Sequence, residues 1–236
     1  MSNTYSQWYP YHRIYDGYLD GAEEDVILRK LCDYLIDAPN GAYEPKDDNS
    51  YSRCRLWKYL YHDGAKPLEQ PLPTIQQKMS VVFNPNNPAN PPSEKGYRLI
   101  PQRYIKQAQE NAQTRVFVGL GRVIAHDEFK MYVAVHFDII SHYTYESNTA
   151  SEAYSRTVAI ERALIEALHG VNMAGVGTFY ISKSAHPDCG GSEGYDETNV
   201  YRRFTFAIEI GTTSKQSFAE SNNQIAFADN PNLKLA

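Results

Sequence analysis

Three polar residues near the middle of the chain could carry out chemistry together. His136 and Asp138 lie two positions apart, and His142 follows them in the same largely apolar segment. In a strand this spacing puts the first two side chains on one face, where they could bind a metal or act as a base with its orienting carboxylate. The pattern indicates no third ligand. We therefore favour a simpler interpretation, a polar sheet face with ordinary hydrogen bonds.

A second segment combines a histidine, an aspartate and a cysteine, in the run His186-Pro187-Asp188-Cys189. A cysteine nucleophile needs a histidine close in space and usually a helix N-terminus, which lowers the pKa of the thiol. The proline and the following glycines predict a flexible surface loop instead. The run Gly119-Leu120-Gly121 lacks the third glycine and the helix of a dinucleotide site. We predict no catalytic residue, no cofactor and no metal, and we predict that the protein is not an enzyme.

Composition narrows the class of protein further. The chain has 236 residues, a formal net charge of −5 and 19 tyrosines, and the acidic balance argues against a nucleic-acid binder. Cys32, Cys54 and Cys189 have neither a zinc spacing nor the pattern of a disulfide framework, which favours a reducing compartment. The first residues form no secretory signal, and no apolar run reaches membrane-spanning length. We expect a soluble protein made in a cytoplasm.

The periodicity of apolar residues predicts an α/β (α+β) fold, with a single mainly antiparallel or mixed sheet packed by two helices. Helical spacing indicates helices over 23–36 and 151–169, the second starting with a capping box from Thr149 to Glu152. Alternating apolar residues predict four strands, at 115–124, 132–140, 176–182 and 200–210. Three further segments are read as follows: 54–61 as a strand or a helix, 75–83 as an ordered segment with strand character, and 184–198 as a loop.

The organisation along the chain is predicted in three parts. An aromatic arm covers residues 1–22, an α/β domain with a proline-rich insertion at about 63–101 covers 23–211, and a polar tail covers 212–236. Aromatic residues and arginine are typical interface anchors, so they mark the segments expected to bind partners. The predicted interface residues are Trp8, Tyr9, Tyr11, Tyr195, Tyr201, Arg202, Phe218 and Phe227.

Residues 132–211 run strand, helix, short strand, polar loop and strand, and in this order they resemble the tail terminator family of tailed bacteriophages and its tail-completion and neck relatives. The apolar positions that match fall in the first strand, the helix end and the last strand: Val133, Val135, Phe137, Leu164, Leu168, His169, Gly170, Tyr201, Phe204, Phe206 and Ile208. The aromatic arm, the proline-rich stretch and the polar tail are additions to the family's pattern.

The resemblance implies a structural virion protein that forms a ring, caps the tail tube, ends its polymerisation and joins it to the head connector. Its implied partners are five further copies in a homo-hexamer, the tail tube and head-connector or neck proteins, with the sheath as a further candidate. DNA would only pass through the lumen, and no membrane is involved. The implied location is the tail or neck of the virion, after assembly in the host cytoplasm. Three alternatives stay open: another neck, head-completion or baseplate subunit, a small cytosolic enzyme, and a monomeric binding module.

Overall fold

The computed structural model describes eight stretches of the chain, namely residues 23–36, 48–64, 66–83, 95–101, 113–125, 130–148, 155–173 and 176–211. The helices in these stretches are α1 Glu23–Ile36, α2 Asp48–Tyr61, α3 Ile75–Ser80, α4 Tyr143–Asn148 and α5 Arg156–Leu168, with a 3-10 turn at Pro67–Glu69. The strands are β1 Leu99–Ile100, β2 Thr114–Ala125, β3 Lys130–His142, β4 Asn172–Met173, β5 Gly177–Tyr180, β6 Gly190–Tyr195 and β7 Asn199–Gly211. The predicted arm and tail, residues 1–22 and 212–236, lie outside the described residues.

A single sheet organises these elements, in the order β1-β2-β3-β7-β5-β4, with β6 also paired to β7. Only the short β1–β2 pair is parallel, and the other pairs within the described residues are antiparallel. The centre is the β3–β7 ladder, which runs without interruption from Lys130 opposite Gly211 to His142 opposite Asn199. The predicted fold class is therefore confirmed.

Strands β5 and β6 lie end to end along the same edge of β7. Tyr180 pairs with Ala207, and Gly190 pairs with Thr205. Since both strands run antiparallel to β7, they form one edge that residues 181–189 interrupt.

Alternation along the strands separates two faces of the sheet. The helix face carries Val135 and Phe137 of β3 and Phe206 of β7, which belong to the main core together with Leu164 of α5. We call the opposite side the second face, because only small apolar clusters lie on it. Its central residues are His136, Asp138, Tyr201, Arg203 and Thr205, each one strand position away from a core residue.

The C-terminal end of α1 is fixed by side chains from other elements. A helix leaves its last carbonyls without partners inside the helix, and cations are favourable at that end. Here the last three carbonyls of α1 accept hydrogen bonds from Arg53, Trp57 and Lys78, at 2.8, 2.6 and 3.5 Å respectively. Trp57 and Lys78 are fully buried. These bonds attach α1 to α2 and α3.

Two buried arginines hold the loop that follows α2. The guanidinium of Arg98 contacts both carboxylate oxygens of Asp63, at 2.7 and 2.5 Å. Arg156, at the first turn of α5, donates to the carbonyls of His62 and Gly64 at 3.0 and 2.6 Å. This loop therefore links α2 both to α5 and to the strand end at Arg98.

Two helices correct the sequence predictions. Residues 75–80 form α3 and not a strand, because Thr74 and Gln77 make a reciprocal capping box that satisfies free amides at the helix start. The chain becomes extended only afterwards, where Val82 bridges Leu99. The undecided segment 54–61 is also helical, as the C-terminal part of α2. The described part of the proline-rich stretch contributes Met79 and other residues to the main core.

The start of the second predicted helix is also wrong. The N-cap of α5 is Ser155, whose Oγ accepts from the amide of Val158 at 3.3 Å, so α5 begins at Arg156, after the predicted start at 151. The proposed capping box at 149–152 lies outside the described residues. The residues just before it, Tyr143–Asn148, form the short helix α4. Thr149 and Ser155 are both residues that commonly cap a helix N-terminus, and the sequence alone does not show which of them starts α5.

Candidate functional site

The polar pair on β3 is part of a hydrogen-bonded row across the second face. His136 Nδ1 lies 2.8 Å from Thr205 Oγ1 on β7. Asp138 accepts two hydrogen bonds from the guanidinium of Arg203, at 2.6 and 3.0 Å. The hydrogen bond to Asp138 raises the pKa of Arg203 above its ordinary value, although burial acts in the opposite direction. Both side chains are thus engaged in cross-strand contacts.

His142 lies at the far end of β3 and is engaged differently. Its Nδ1 accepts from the amide of Thr144 at 3.3 Å, and its ring lies 4.6 Å from the ring of Tyr143. Within the described residues no group of three His, Cys, Asp or Glu side chains is placed to hold a metal ion. The geometry therefore brings His136 and Asp138 to one face, as their spacing predicts, without assembling a metal centre around them.

The segment 181–189 is packed onto the second face, which contradicts the prediction of a flexible surface loop. His186 is fully buried, with Nε2 3.2 Å from the carbonyl of Arg122 on β2 and Nδ1 accepting from the amide of Asp188. Arg122 also pairs with Asp188 at 3.1 Å. Cys189 is buried, and burial raises the pKa of its thiol, which disfavours the nucleophilic thiolate. Through His186 and Asp188, the segment connects the β5–β6 edge of the sheet to β2.

The glycine pair on β2 has a structural role. The register of β2 against β3 shifts between Leu120 and Val123. A Cβ atom on Gly121 would lie 2.2 Å from Nε2 of His136. Glycine therefore allows β2 to approach His136 closely beside this register shift, and Val123, which follows the shift, is 55% exposed.

The turn between β6 and β7 is held by Asp196. One carboxylate oxygen accepts from the amides of Thr198 and Asn199, at 2.8 and 2.6 Å, and the other accepts from the hydroxyl of Tyr201. Burial alone would raise the pKa of Asp196, but the hydrogen bonds from Tyr201 and the two amides outweigh it and lower the pKa to about 2. The turn therefore has a fixed shape although it lies at the surface.

A groove runs beside this turn on the second face. Its volume is about 280 Å³, close to the lower end of the range of roughly 300–1,000 Å³ usual for small-molecule sites. The side chains and backbone around it come from β3, β6 and β7, principally Asp138, Ile140, Ser192, Gly194, Tyr201 and Arg203.

Two exposed tyrosines lie at the same end of the sheet. Tyr195 ends β6 with 70% of its surface exposed, and Tyr143 is 58% exposed. The amide of Tyr143 donates to the carbonyl of Thr198 at 2.9 Å, which ties α4 to the turn. We call Tyr143, Tyr195–Tyr201 and the groove together the hairpin end. It combines fixed backbone, exposed aromatic rings and a concave surface.

Two of the predicted interface residues belong to the hairpin end, and a third has a different role. Tyr195 is exposed and Tyr201 lines the groove. Arg202 instead pairs on the helix face with Glu161 of α5, at 3.0 Å, and with Glu193 of β6. The predicted residues Trp8, Tyr9, Tyr11, Phe218 and Phe227 lie outside the described residues.

Sequence reasoning missed Ile140 and Tyr143 as members of this surface. The sequence pattern marks Ile140 only as the last residue of the strand predicted at 132–140, and it assigns no role to Tyr143. An exposed aromatic directly after a strand was the only signal for Tyr143. The place of Ile140 in the groove depends on its pairing with Tyr201, which lies 61 positions further along the chain and which no local pattern reveals.

Fold and surface together define a single-sheet α/β protein whose described part presents a groove beside exposed tyrosines and no group of side chains placed to hold a metal ion. A model of the YomW family matches residues 54–208, more than half of the chain. The protein belongs to the YomW family, which is phage-derived. No curated protein and no solved structure matches the chain. In the described stretches, no helix is long and apolar enough to span a membrane.

Proposed function

We propose that this protein is a structural virion subunit of a tailed phage, which acts by binding copies of itself and neighbouring tail or neck proteins. The observation that carries the proposal is the hairpin end. Tyr143 and Tyr195 expose large aromatic rings on backbone that is already fixed by Asp196. Tyrosine is an effective interface anchor, and a preorganised surface loses less entropy on binding.

Two further observations support an assembly role. The chain belongs to a phage-derived family. The residues that could have formed a catalytic group are used internally, since His136 contacts Thr205, Asp138 pairs with Arg203 and His186 is buried against Arg122.

The finer proposal is a ring, most simply of six copies, that caps the tail tube, ends its polymerisation and offers a face to the head connector. Rings close through contacts between two different surfaces of each subunit. The hairpin end lies at the His142 end of β3, and the exposed Val123 pairs with Val133 near the other end. Nine residues of β3 separate these positions, about 30 Å at ordinary strand rise. A subunit with distinct surfaces at opposite ends fits such head-to-tail contacts.

Light scattering of the purified chain, with negative-stain imaging, tests this proposal. We expect closed rings, either alone or when isolated tail tubes are added. Tyr195→Ala should weaken assembly strongly. Tyr51→Ala is the matched control, because Tyr51 is a comparably exposed tyrosine, at 53%, on helix α2. A chain that stays monomeric at all concentrations and does not bind tubes would contradict the proposal.

A further inference from the structure

The outer edge of β6 is open in the described part of the chain. Strand β6 has the sequence GGSEGY and pairs with β7 on one side only. Four of its six residues are exposed, including Glu193 and Tyr195. An open strand edge of this kind is a template for a further strand.

The register shows which backbone groups face outward. The amide of Asp196 donates to the carbonyl of Asn199 at 3.0 Å, which makes these two residues a hydrogen-bonded pair. Bonded pairs alternate along an antiparallel ladder, so the next bonded pairs are at Gly194 and Ser192. Between them, Gly191, Glu193 and Tyr195 direct their amides and carbonyls away from β7. Three consecutive outward positions offer hydrogen bonds to an added strand.

The groove lies where such a strand would place its side chains. Every second residue of an added strand projects onto the second face, beside Ser192 and Gly194. These small residues leave the groove accessible, and an added Cβ on Gly194 would meet nothing within 4 Å. Ile140, Tyr201 and Arg203 surround the groove. An apolar side chain, a ring and a guanidinium together suit an aromatic guest.

The N-terminal segment has the composition that this edge requires. Residues 1–15 contain Tyr5, Trp8, Tyr9, Tyr11 and Tyr15, carry Arg13, and contain no Asp or Glu. The facing turn carries Asp196 and Glu197, while Glu193 is already paired with Arg202 of the same hairpin. Charge and aromatic content are therefore complementary. Residues 1–15 contain a single proline, Pro10, which is compatible with a strand that becomes the new edge of the sheet.

Other segments of the chain fit this edge less well. Residues 212–236 contain two lysines, two acidic residues and two phenylalanines, so they offer neither net positive charge nor a dense aromatic run. A second β6 strand paired antiparallel about Glu193 would place like charges opposite each other, which is destabilising.

We propose that residues 1–15 of a neighbouring copy add to the outer edge of β6 as an extended strand, with an aromatic side chain in the groove. The exchange between copies rests on the proposed assembly function, and it identifies one contact of that assembly. Twenty-two residues precede α1, and they span up to roughly 70 Å when extended. That length is sufficient to cross from one subunit to the next.

The test compares Glu193→Pro with Glu193→Ala in the full-length chain. Both variants lose the ion pair of Glu193 with Arg202, but only proline removes an outward amide and adds a ring at the edge. In light scattering, the protein concentration at which Glu193→Pro assembles should be about tenfold higher than that for Glu193→Ala. A fluorescent peptide of residues 1–15 should likewise bind the alanine variant and not the proline variant.

The results distinguish docking at the β6 edge from the exchange of residues 1–15 between copies. Equal assembly and equal peptide binding by both variants would overturn edge docking, while wild-type rings would leave the proposed function standing. A monomeric wild type whose edge binds the peptide only after its own residues 1–15 are deleted would assign the arm to its own chain and overturn the exchange. Circular dichroism checks that the proline variant folds. Should it not fold, the arm variant Trp8→Ala with Tyr9→Ala must show the same loss, with Tyr51→Ala unaffected.

Discussion

Two arginine–aspartate pairs in this molecule have similar geometry and opposite surroundings. Arg98 forms an ion pair with Asp63, and its side chain is only 1% exposed. Arg203 forms an ion pair with Asp138, and its side chain is 52% exposed. The first pair lies where the α2 loop meets the body of the fold, and the second lies beside the groove. Ion pairs deep in a protein are costly to break, whereas exposed pairs contribute little. The comparison separates a region that holds the fold from a region that is available for binding.

The largest expected effect lies in the core of the helix face. Phe206 is fully buried, with its ring 5.8 Å from Phe137 and 4.9 Å from Phe204. Phe206→Ala should lower the free energy of unfolding by about 3–5 kcal/mol, through lost burial and the cavity left behind. Tyr195→Ala at the hairpin end should change it by less than about 0.5 kcal/mol. Denaturant unfolding measures both, and similar losses would remove the distinction between the regions.

Breaking each of the two ion pairs should change the free energy of unfolding by a different amount. Asp63→Ala leaves the buried charge of Arg98 without its carboxylate, and we expect a loss of about 2–4 kcal/mol of unfolding free energy, since Asp63 itself retains some solvent contact. Asp138→Ala frees a guanidinium that water can reach, and we expect a loss of at most about 1 kcal/mol. Urea unfolding of the two variants at one pH gives the answer. Equal losses would mean that the groove region also holds the fold together.

The smallest expected effect is the pH response of the hairpin turn. The folded pKa of Asp196, about 2, lies below the ordinary value of 3.8. The stabilisation is therefore fully present above pH 3.8 and is lost as the pH falls through about 2. Tyr201→Phe removes one hydrogen bond to the carboxylate and should raise that pKa towards its ordinary value. A carboxyl titration by NMR measures the midpoint, and an unchanged midpoint in the variant would remove Tyr201 from this role.

The central part of the fold could be predicted because its signals are local. Val133, Val135 and Phe137 alternate with polar residues since one face of β3 is buried, and the acid-rich start and helical spacing of 23–36 gave the bounds of α1. The sequence predicts a loop where β6 forms, because glycine, serine and glutamate on an exposed edge show no alternation of apolar and polar residues. Its pairing with β7 depends on backbone hydrogen bonds, which any sequence can make.

Only part of the hairpin end could be predicted, because its groove depends on contacts between segments that are distant in sequence. Tyr195 and Tyr201 could be named from residue type alone. The groove also needs Asp138 opposite Arg203 and Ile140 opposite Tyr201. These contacts join segments more than 60 positions apart, and the register that creates them comes from the packing of the whole sheet.

The hairpin of β6 and β7 also has a consequence for the order of folding. Its partners are five residues apart at Tyr195 and Val200, whereas the β3–β7 ladder joins residues 57 to 81 positions apart, from His142 with Asn199 to Lys130 with Gly211. Short loops close at lower entropic cost, so the hairpin can form while the central ladder is still open. During that interval its free edge would be exposed to other nascent chains. Glycines and a charged Glu193 on β6 make this edge a poor template for random aggregation.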